Sequence, residues 1–384
     1  MKSFLHNTIF ILAIAVVVGI GLGLWVSEGA LSVVLALKQV TGQVIFFLVP
    51  LIILGFVTSS IAQLSSGASR LLGIAFLLAY GSSVGAALFS TGLSRLLIPL
   101  LGVGQVAESV PLPRNLFELQ IPPVMSVMTA LLLAVFMGLG IIWTKSDDFR
   151  RAALQFRNIV LLLVTRILVP VLPFYIAANF CALTYQGFLP QLTVFLPVLL
   201  IVVVAHYVWL LFLYGVASAV SGKNGWQVAR HYGPAYLTAL GTMSSAASLG
   251  VCLQCARKSR LLTEEVTEFS IPLLNNIHLC GSVLTEVFFV GVVSWLLYGG
   301  LPSVGTMILF ILLLGVFAVG APGVPGGTVL ASLGLVVSVL GFDDRGTALL
   351  ITIFALQDSF GTACNVTGDG ALTLILQKVK DGSA

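Results

Sequence analysis

Two apolar stretches, at about 233–256 and 304–341, are each broken in the middle by small residues, and these breaks constrain the fold more than any other feature. The first contains Gly241-Thr242-Met243-Ser244-Ser245-Ala246-Ala247-Ser248, the second Gly320-Ala321-Pro322-Gly323-Val324-Pro325-Gly326-Gly327. Proline removes an amide donor and glycine raises the entropic cost of order, so a helix stops at such a run. At membrane depth a broken helix must be buried in protein or line a wet cavity. Both stretches therefore read as re-entrant helical hairpins. Around them, runs at about 8–26, 40–64, 71–100, 122–144, 156–185, 189–218, 269–299 and 347–377 are long enough to cross a hydrocarbon core of ~30 Å. Only 8% of the residues are charged and 58% are hydrophobic, against roughly 25% charged in a soluble domain. This composition argues against a soluble enzyme or a nucleic-acid binder. The sequence predicts an all-α polytopic membrane protein of about eight transmembrane helices plus two hairpins, in one domain over 1–384.

The basic residues orient it. With the N-terminus inside, Lys2, Arg70, Lys145, Arg150, Arg151, Lys223, Arg230, Arg257, Lys258, Arg260, Lys378 and Lys380 fall on the cytoplasmic side, whereas Lys38, Arg95, Arg114 and Arg345 lie outside or near the outer ends. Arg157 and Arg166 lie within the fifth span. The bias holds only if 233–256 enters and leaves inside and 304–341 outside. Oppositely oriented hairpins are the mark of inverted repeats in a secondary transporter. Both termini are expected in the cytoplasm, with the chain multi-pass in a plasma membrane, the bacterial inner membrane being the expected one. The five cysteines sit in apolar or small-residue surroundings and read as buried small hydrophobes.

Polar residues inside spans need a reason. In the last span Asp358, Thr362, Asn365 and Asp369 are four, three and four residues apart, which places them on one helical face. Leu356, Phe360, Ala363 and Val366 occupy other positions that suit lipid or packed protein. Two carboxylates on one buried face require cations, either Na⁺ or a substrate ammonium. The seventh span holds Asn275, Asn276, His278, Cys280 and Ser282 around Gly281, a pattern of an unwound segment whose carbonyls face a cation. Glu286 either pairs with His278 or is a satisfied carboxylic acid. His206, alone among valines and aromatics, reads as a core histidine, with a proton relay as the other possibility. Each hairpin tip offers free amides to a carboxylate, and Ser244 and Ser245 add hydroxyls. Together these parts suggest a zwitterion site with a cation site: a cation-coupled amino-acid transporter, not an enzyme. An ion channel is the reading from another class.

The segment QDSFGTACNVTGD (357–369) resembles the last-helix motif of the dicarboxylate/amino acid:cation symporters, the glutamate-transporter-like group, and NVTGD matches it outright. GTMSSAASLGV (241–251) resembles that family's first hairpin tip and APGVPGG (321–327) its second. The resemblance implies an elevator-type homotrimer with a static scaffold, about 1–70 and 122–188, and a moving transport half, about 71–100 and 189–380. It implies that Asp358 binds the substrate ammonium, that Thr362 and Asn365 contact its amino and carboxylate groups, and that Ser245 with amides near Gly323 and Val324 holds the carboxylate, Ser244 adding a hydroxyl. It further implies one Na⁺ at Asp369 with the carbonyls of Leu274, His278 and Asn365, and a second near Asn276, Ala318, Val319 and Ala321.

The departures bear on substrate and stoichiometry. Acidic-substrate members have arginine where Gly361 stands, and members that supply it from the first hairpin have it where Met243 stands. An unpaired side-chain carboxylate would cost several kcal/mol to bury. The expected substrate is thus a small neutral amino acid of the serine, threonine or alanine type, with an acidic amino acid or dicarboxylate as the alternative. Gly361 is expected to leave volume for a larger side chain. The family's NMDGT becomes His278-Leu279-Cys280-Gly281-Ser282, so the aspartate for a third Na⁺ is absent, leaving only Ser82 and Ser83 hydroxyls. Fewer Na⁺ ions are expected, and H⁺ coupling through His278 or Glu286 stays open.

Overall fold

The computed structural model describes residues 8–63, 70–101, 112–113, 116–117, 121–187, 195–321, 323 and 325–382. Among them the chain is helical throughout: α1 (Thr8–Trp25), α2 (Glu28–Gln63), α3 (Arg70–Leu97), α4 (Val127–Thr144), α5 (Asp147–Leu163), α6 (Val169–Tyr185), α7 (Phe195–Ser221), α8 (Gly233–Thr242), α9 (Ser245–Arg257), α10 (Glu264–Ile277), α11 (Cys280–Tyr298), α12 (Val304–Gly320), α13 (Gly327–Ser338) and α14 (Asp344–Asp381). Among the described residues six segments are long and apolar enough to cross a membrane: Glu28–Ser59, Leu71–Leu101, Asp147–Tyr185, Leu196–Ser221, Glu264–Tyr298 and Asp344–Asp381. The expected spans at 8–26 and 122–144 are the apolar helices α1 (Thr8–Trp25) and α4 (Val127–Thr144), of 18 residues each. Pro122 and Pro123 hold the chain off the helix until Ser126, whose hydroxyl accepts from the Thr129 amide and starts α4.

Local chemistry sets the other boundaries. Ser146, Thr263, Ser303 and Asp343 each cap a helix by accepting an amide of the first turn. Acidic residues follow three of these caps, complementing the positive end of the helix dipole: Asp147 and Asp148 in α5, Glu264 and Glu265 in α10, Asp344 in α14. The fifth span is not one even helix. A π-turn at Val164–Leu168 joins α5 to α6, next to Pro170, which has no amide to donate.

Packing divides the helices into two groups. Helices α1, α2, α4, α5 and α6 pack mainly on one another, and α3, α7, α8, α10 and α11 gather around α14. In the first group Gly19 and Gly23 of α1 let the backbone of α6 approach: a Cβ on either would fall within 2.6 Å of a carbonyl oxygen of Ala177 or Cys181. In the second, α14 is buried on nearly every side, so that Ala363 and Val366 pack in protein rather than against lipid.

The two broken stretches are helical hairpins, α8–α9 and α12–α13. The outer ends of the first lie beside the C-terminus of α14 and the N-terminus of α10, where Arg257 pairs with Glu268 at 2.7 Å, Lys223 with Asp381 at 3.5 Å, and Lys380 with Glu265. The outer ends of the second lie at the other end of α14. There the Tyr298 hydroxyl donates to Asp343 at 2.7 Å and the Arg95 guanidinium to the Pro302 carbonyl at 2.5 Å. The two helix pairs therefore approach each other from opposite ends of α14.

Candidate functional site

The hairpin tips meet. In the first, Met243 adopts a left-handed conformation (φ 52°) and ends α8, and Ser244 then caps α9. The Ser244 hydroxyl also donates to the Gly323 carbonyl of the second hairpin at 2.8 Å. Ser245 is buried, and its carbonyl accepts from the Asn275 amide at 2.6 Å, which ties this tip to the seventh span. Val324 lies outside the described residues, so its expected place at the substrate carboxylate goes without a structural account. Met243 is buried, with no guanidinium in its place.

The seventh span is broken where the polar run predicts. Helix α10 ends at Ile277, His278 and Leu279 leave helical geometry (φ −106° and −120°), and α11 begins at Cys280. The start of a buried helix exposes amides that need acceptors. Leu279 supplies no side-chain cap. Asn365 does this from across the interface: its Oδ1 accepts from the Gly281 amide at 2.7 Å and the Ser282 amide at 3.2 Å, while its Nδ2 donates to the Ser282 hydroxyl at 2.9 Å. The side chain expected to touch substrate is thus committed to the start of α11.

Gly361 likewise differs from expectation. A Cβ there would sit 3.1 Å from the Ser282 Cα and 3.2 Å from its nitrogen, and a Cβ on Gly281 would sit 2.5 Å from the Gly361 carbonyl oxygen. Helices α11 and α14 cross in contact at these glycines. The space predicted in place of arginine is therefore filled by backbone of the neighbouring helix, and no cavity for a larger substrate side chain opens at that point.

Asp358, Thr362, Asn365 and Asp369 do share one face of α14 and are all buried. One Asp358 oxygen accepts from the Gly326 amide at 2.6 Å, at the N-terminus of α13. Gly326 has φ 72°, a conformation glycine adopts without strain, and this turns its amide inward. The start of α13 thus turns its amide, at the positive end of the helix dipole, toward Asp358. The Thr362 hydroxyl makes no hydrogen bond to another described group, so it remains available at the site.

Asp369 is wholly buried. Its Oδ1 accepts from His278 Nδ1 at 2.9 Å, and its Oδ2 has no partner among the described residues. A carboxylate oxygen without a donor at this depth calls for a cation. At the break itself the His278 amide donates to the Leu274 carbonyl at 2.8 Å. Ala318 and Ala321 are buried and Asn276 and Val319 partly so, at the inner end of α12 and the end of α10. Of the two readings of Glu286, pairing with His278 is not what forms: Glu286 Oε1 accepts from the Ser332 hydroxyl of α13, and Oε2 has no partner among the described residues. His206 bonds the Gly281 carbonyl at 3.0 Å and the Thr285 hydroxyl at 2.9 Å through Nε2, while its buried Nδ1 has no partner among the described residues. Sequence reasoning did not reach the Gly326 amide or the amides of Gly281 and Ser282, because a backbone donor leaves no trace in residue type, nor the Ser332 hydroxyl, whose partner Glu286 lies on another helix.

A family model described as the sodium:dicarboxylate symporter family matches residues 8–379. Among curated relatives, excitatory amino acid transporter 3 of Mus musculus is 31% identical over 158 residues, covering 41% of this chain and 30% of the relative. Excitatory amino acid transporter 3 of Bos taurus is 32% identical over 157 residues, 41% and 30% respectively. Excitatory amino acid transporter 2 of Homo sapiens is 26% identical over 249 residues, 62% and 42%. The matched stretches thus span less than half the length of these relatives.

Proposed function

The chain belongs to the sodium:dicarboxylate symporter family, and from that premise we propose that it is a secondary active symporter coupling Na⁺ entry to uptake of a small neutral amino acid of the serine, threonine or alanine type. The observation that carries this reading is the unpartnered Asp369 oxygen, buried beside the break between α10 and α11, where Na⁺ supplies the missing charge. The substrate ammonium goes to Asp358, one turn from the Thr362 hydroxyl, and its carboxylate goes to the amides where the hairpins meet at Ser244, Ser245 and Gly323. Asn276, Ala318, Val319 and Ala321 supply the second cation position. Movement follows the packing groups, with α3 and 195–381 travelling against a scaffold of α1, α2 and α4 to α6. The protein acts as a homotrimer in a plasma membrane, the bacterial inner membrane in this reading, with both termini cytoplasmic.

The neutral preference rests on the absence of a cation at the site: Met243 is buried, and Gly361 faces the backbone of α11. One observation favours the acidic alternative. Arg157 lies over the Phe56 ring at 5.6 Å with its Nε lacking a hydrogen-bond partner, and it lines a cavity of about 260 Å³ together with Asn276 and Ala321. An acidic substrate meets that guanidinium on the scaffold side. The relatives are named for excitatory amino acids. Uptake by purified protein in liposomes under an inward Na⁺ gradient, with labelled serine, separates the readings. Competition by alanine and threonine but not aspartate supports the neutral carrier. Competition by aspartate that Arg157→Ala removes selects the acidic one. Ion flux without saturable uptake of either refutes both and leaves a channel.

A further inference from the structure

His278 does more than end a helix. Its imidazole is fully buried and reaches two oxygens on different helices: Nδ1 lies 2.9 Å from Asp369 Oδ1 on α14, and Nε2 lies 2.9 Å from the Ser82 hydroxyl on α3. An ionised carboxylate only accepts, so Nδ1 carries the hydrogen toward Asp369, and Nε2 shares the second bond with the Ser82 hydroxyl. Space for the ring is built in. A Cβ on Gly368 would sit 2.9 Å from His278 Cε1, 3.3 Å from Leu213 Cδ1 and 3.5 Å from the Cys280 sulfur. A carboxylate oxygen and a hydroxyl facing one buried space are hard oxygen ligands for Na⁺. Here both are already bonded, each to one nitrogen of the ring between them. Neither ring nitrogen keeps a free lone pair.

Resting on the symporter reading, we propose that the His278 imidazole is a permanent protein occupant of a cation position. It joins Asp369 to Ser82 where an ion would otherwise do so, and each transport cycle carries one Na⁺ fewer than it would with those oxygens open. The link between α3 and α14 then needs no ion, and Asp369 keeps only Oδ2 for a single Na⁺. His278 is in this sense a positioning residue that sets stoichiometry.

His278→Asn shortens the side chain and replaces the ring by an amide oxygen, a third hard ligand. In liposomes, the ratio of labelled Na⁺ to labelled serine (or aspartate, if that is the substrate taken up) rises by one in this variant. At a tenfold Na⁺ gradient the limiting accumulation rises about tenfold, since each coupled ion adds the free energy of one tenfold gradient. In substrate-free protein, thermal stabilisation by Na⁺ becomes steeper in Na⁺ concentration. A folded His278→Asn protein with the wild-type ratio and the wild-type steepness overturns the proposal. Should His278→Asn fail to fold, Ser82→Ala decides: the rate of uptake falls as the ring loses its anchor, but the ratio stays at the wild-type value. A lower ratio in Ser82→Ala makes Ser82 an ion ligand and overturns the proposal. Failure of the underlying reading looks different, because the wild-type protein then shows no Na⁺ dependence at all.

Discussion

Truncating Asn365 to alanine tests how the broken seventh span is held. The side chain makes three bonds at the start of α11, accepting from the Gly281 and Ser282 amides and donating to the Ser282 hydroxyl. The residue is buried, and Leu279 offers no alternative cap. Alanine leaves two amides without an acceptor, at about 1–3 kcal/mol each. The expected loss is therefore about 2–6 kcal/mol, large beside the typical ~1 kcal/mol of a point substitution. Thr362→Val is the comparison, one turn away on the same face and also buried, but with a hydroxyl that bonds no other described group. It should cost about 1 kcal/mol, in the usual range, while weakening substrate binding. Unfolding of both variants in mixed micelles with increasing denaturing detergent gives the two free energies. Equal losses below about 1 kcal/mol in both would show that α11 is not capped from α14, and the assignment of Asn365 would then return to the substrate.

Gly361→Arg should not create an acidic amino-acid carrier: its Cβ meets the backbone of Ser282, and overpacking of about 1–3 kcal/mol or more accompanies it. A folded variant that takes up aspartate would refute the close helix crossing. Asp343 lies outside the spans, at the start of α14. Burial raises its pKa, but the Tyr298 hydroxyl, the Gly346 amide and the Arg345 charge together hold it below the usual carboxylate range. A depressed folded value stabilises above the ordinary carboxylate pKa and is lost as pH falls through the folded value. Asp343→Ala should therefore cost about 1 kcal/mol of helix capping at pH 7, and unfolding curves of variant and wild type should converge below about pH 4.

The sequence by itself determined where helices start and stop and which face of the last helix is polar. Chain-local physics decides these: proline and glycine interrupt helices, hydroxyl and carboxylate residues cap them, and the spacing of Asp358, Thr362, Asn365 and Asp369 follows the helical repeat wherever the helix sits. The breaks at Met243–Ser244 and His278–Leu279 were legible for the same reason. Periodicity stops at the face, however, and does not name the partner. His278 and Glu286 stand eight residues apart on one span, yet His278 turns to Asp369 and Ser82, and Glu286 to Ser332. Gly361 reads as a vacancy in one dimension and is a helix crossing in three. Asn365 reads as a ligand contact, and the fold adds a role the sequence does not show, that of capping another helix. Each of these outcomes depends on how far apart two helices lie and how each is rotated about its axis, quantities set by the packing of many side chains at once, and so only the tertiary structure could decide them.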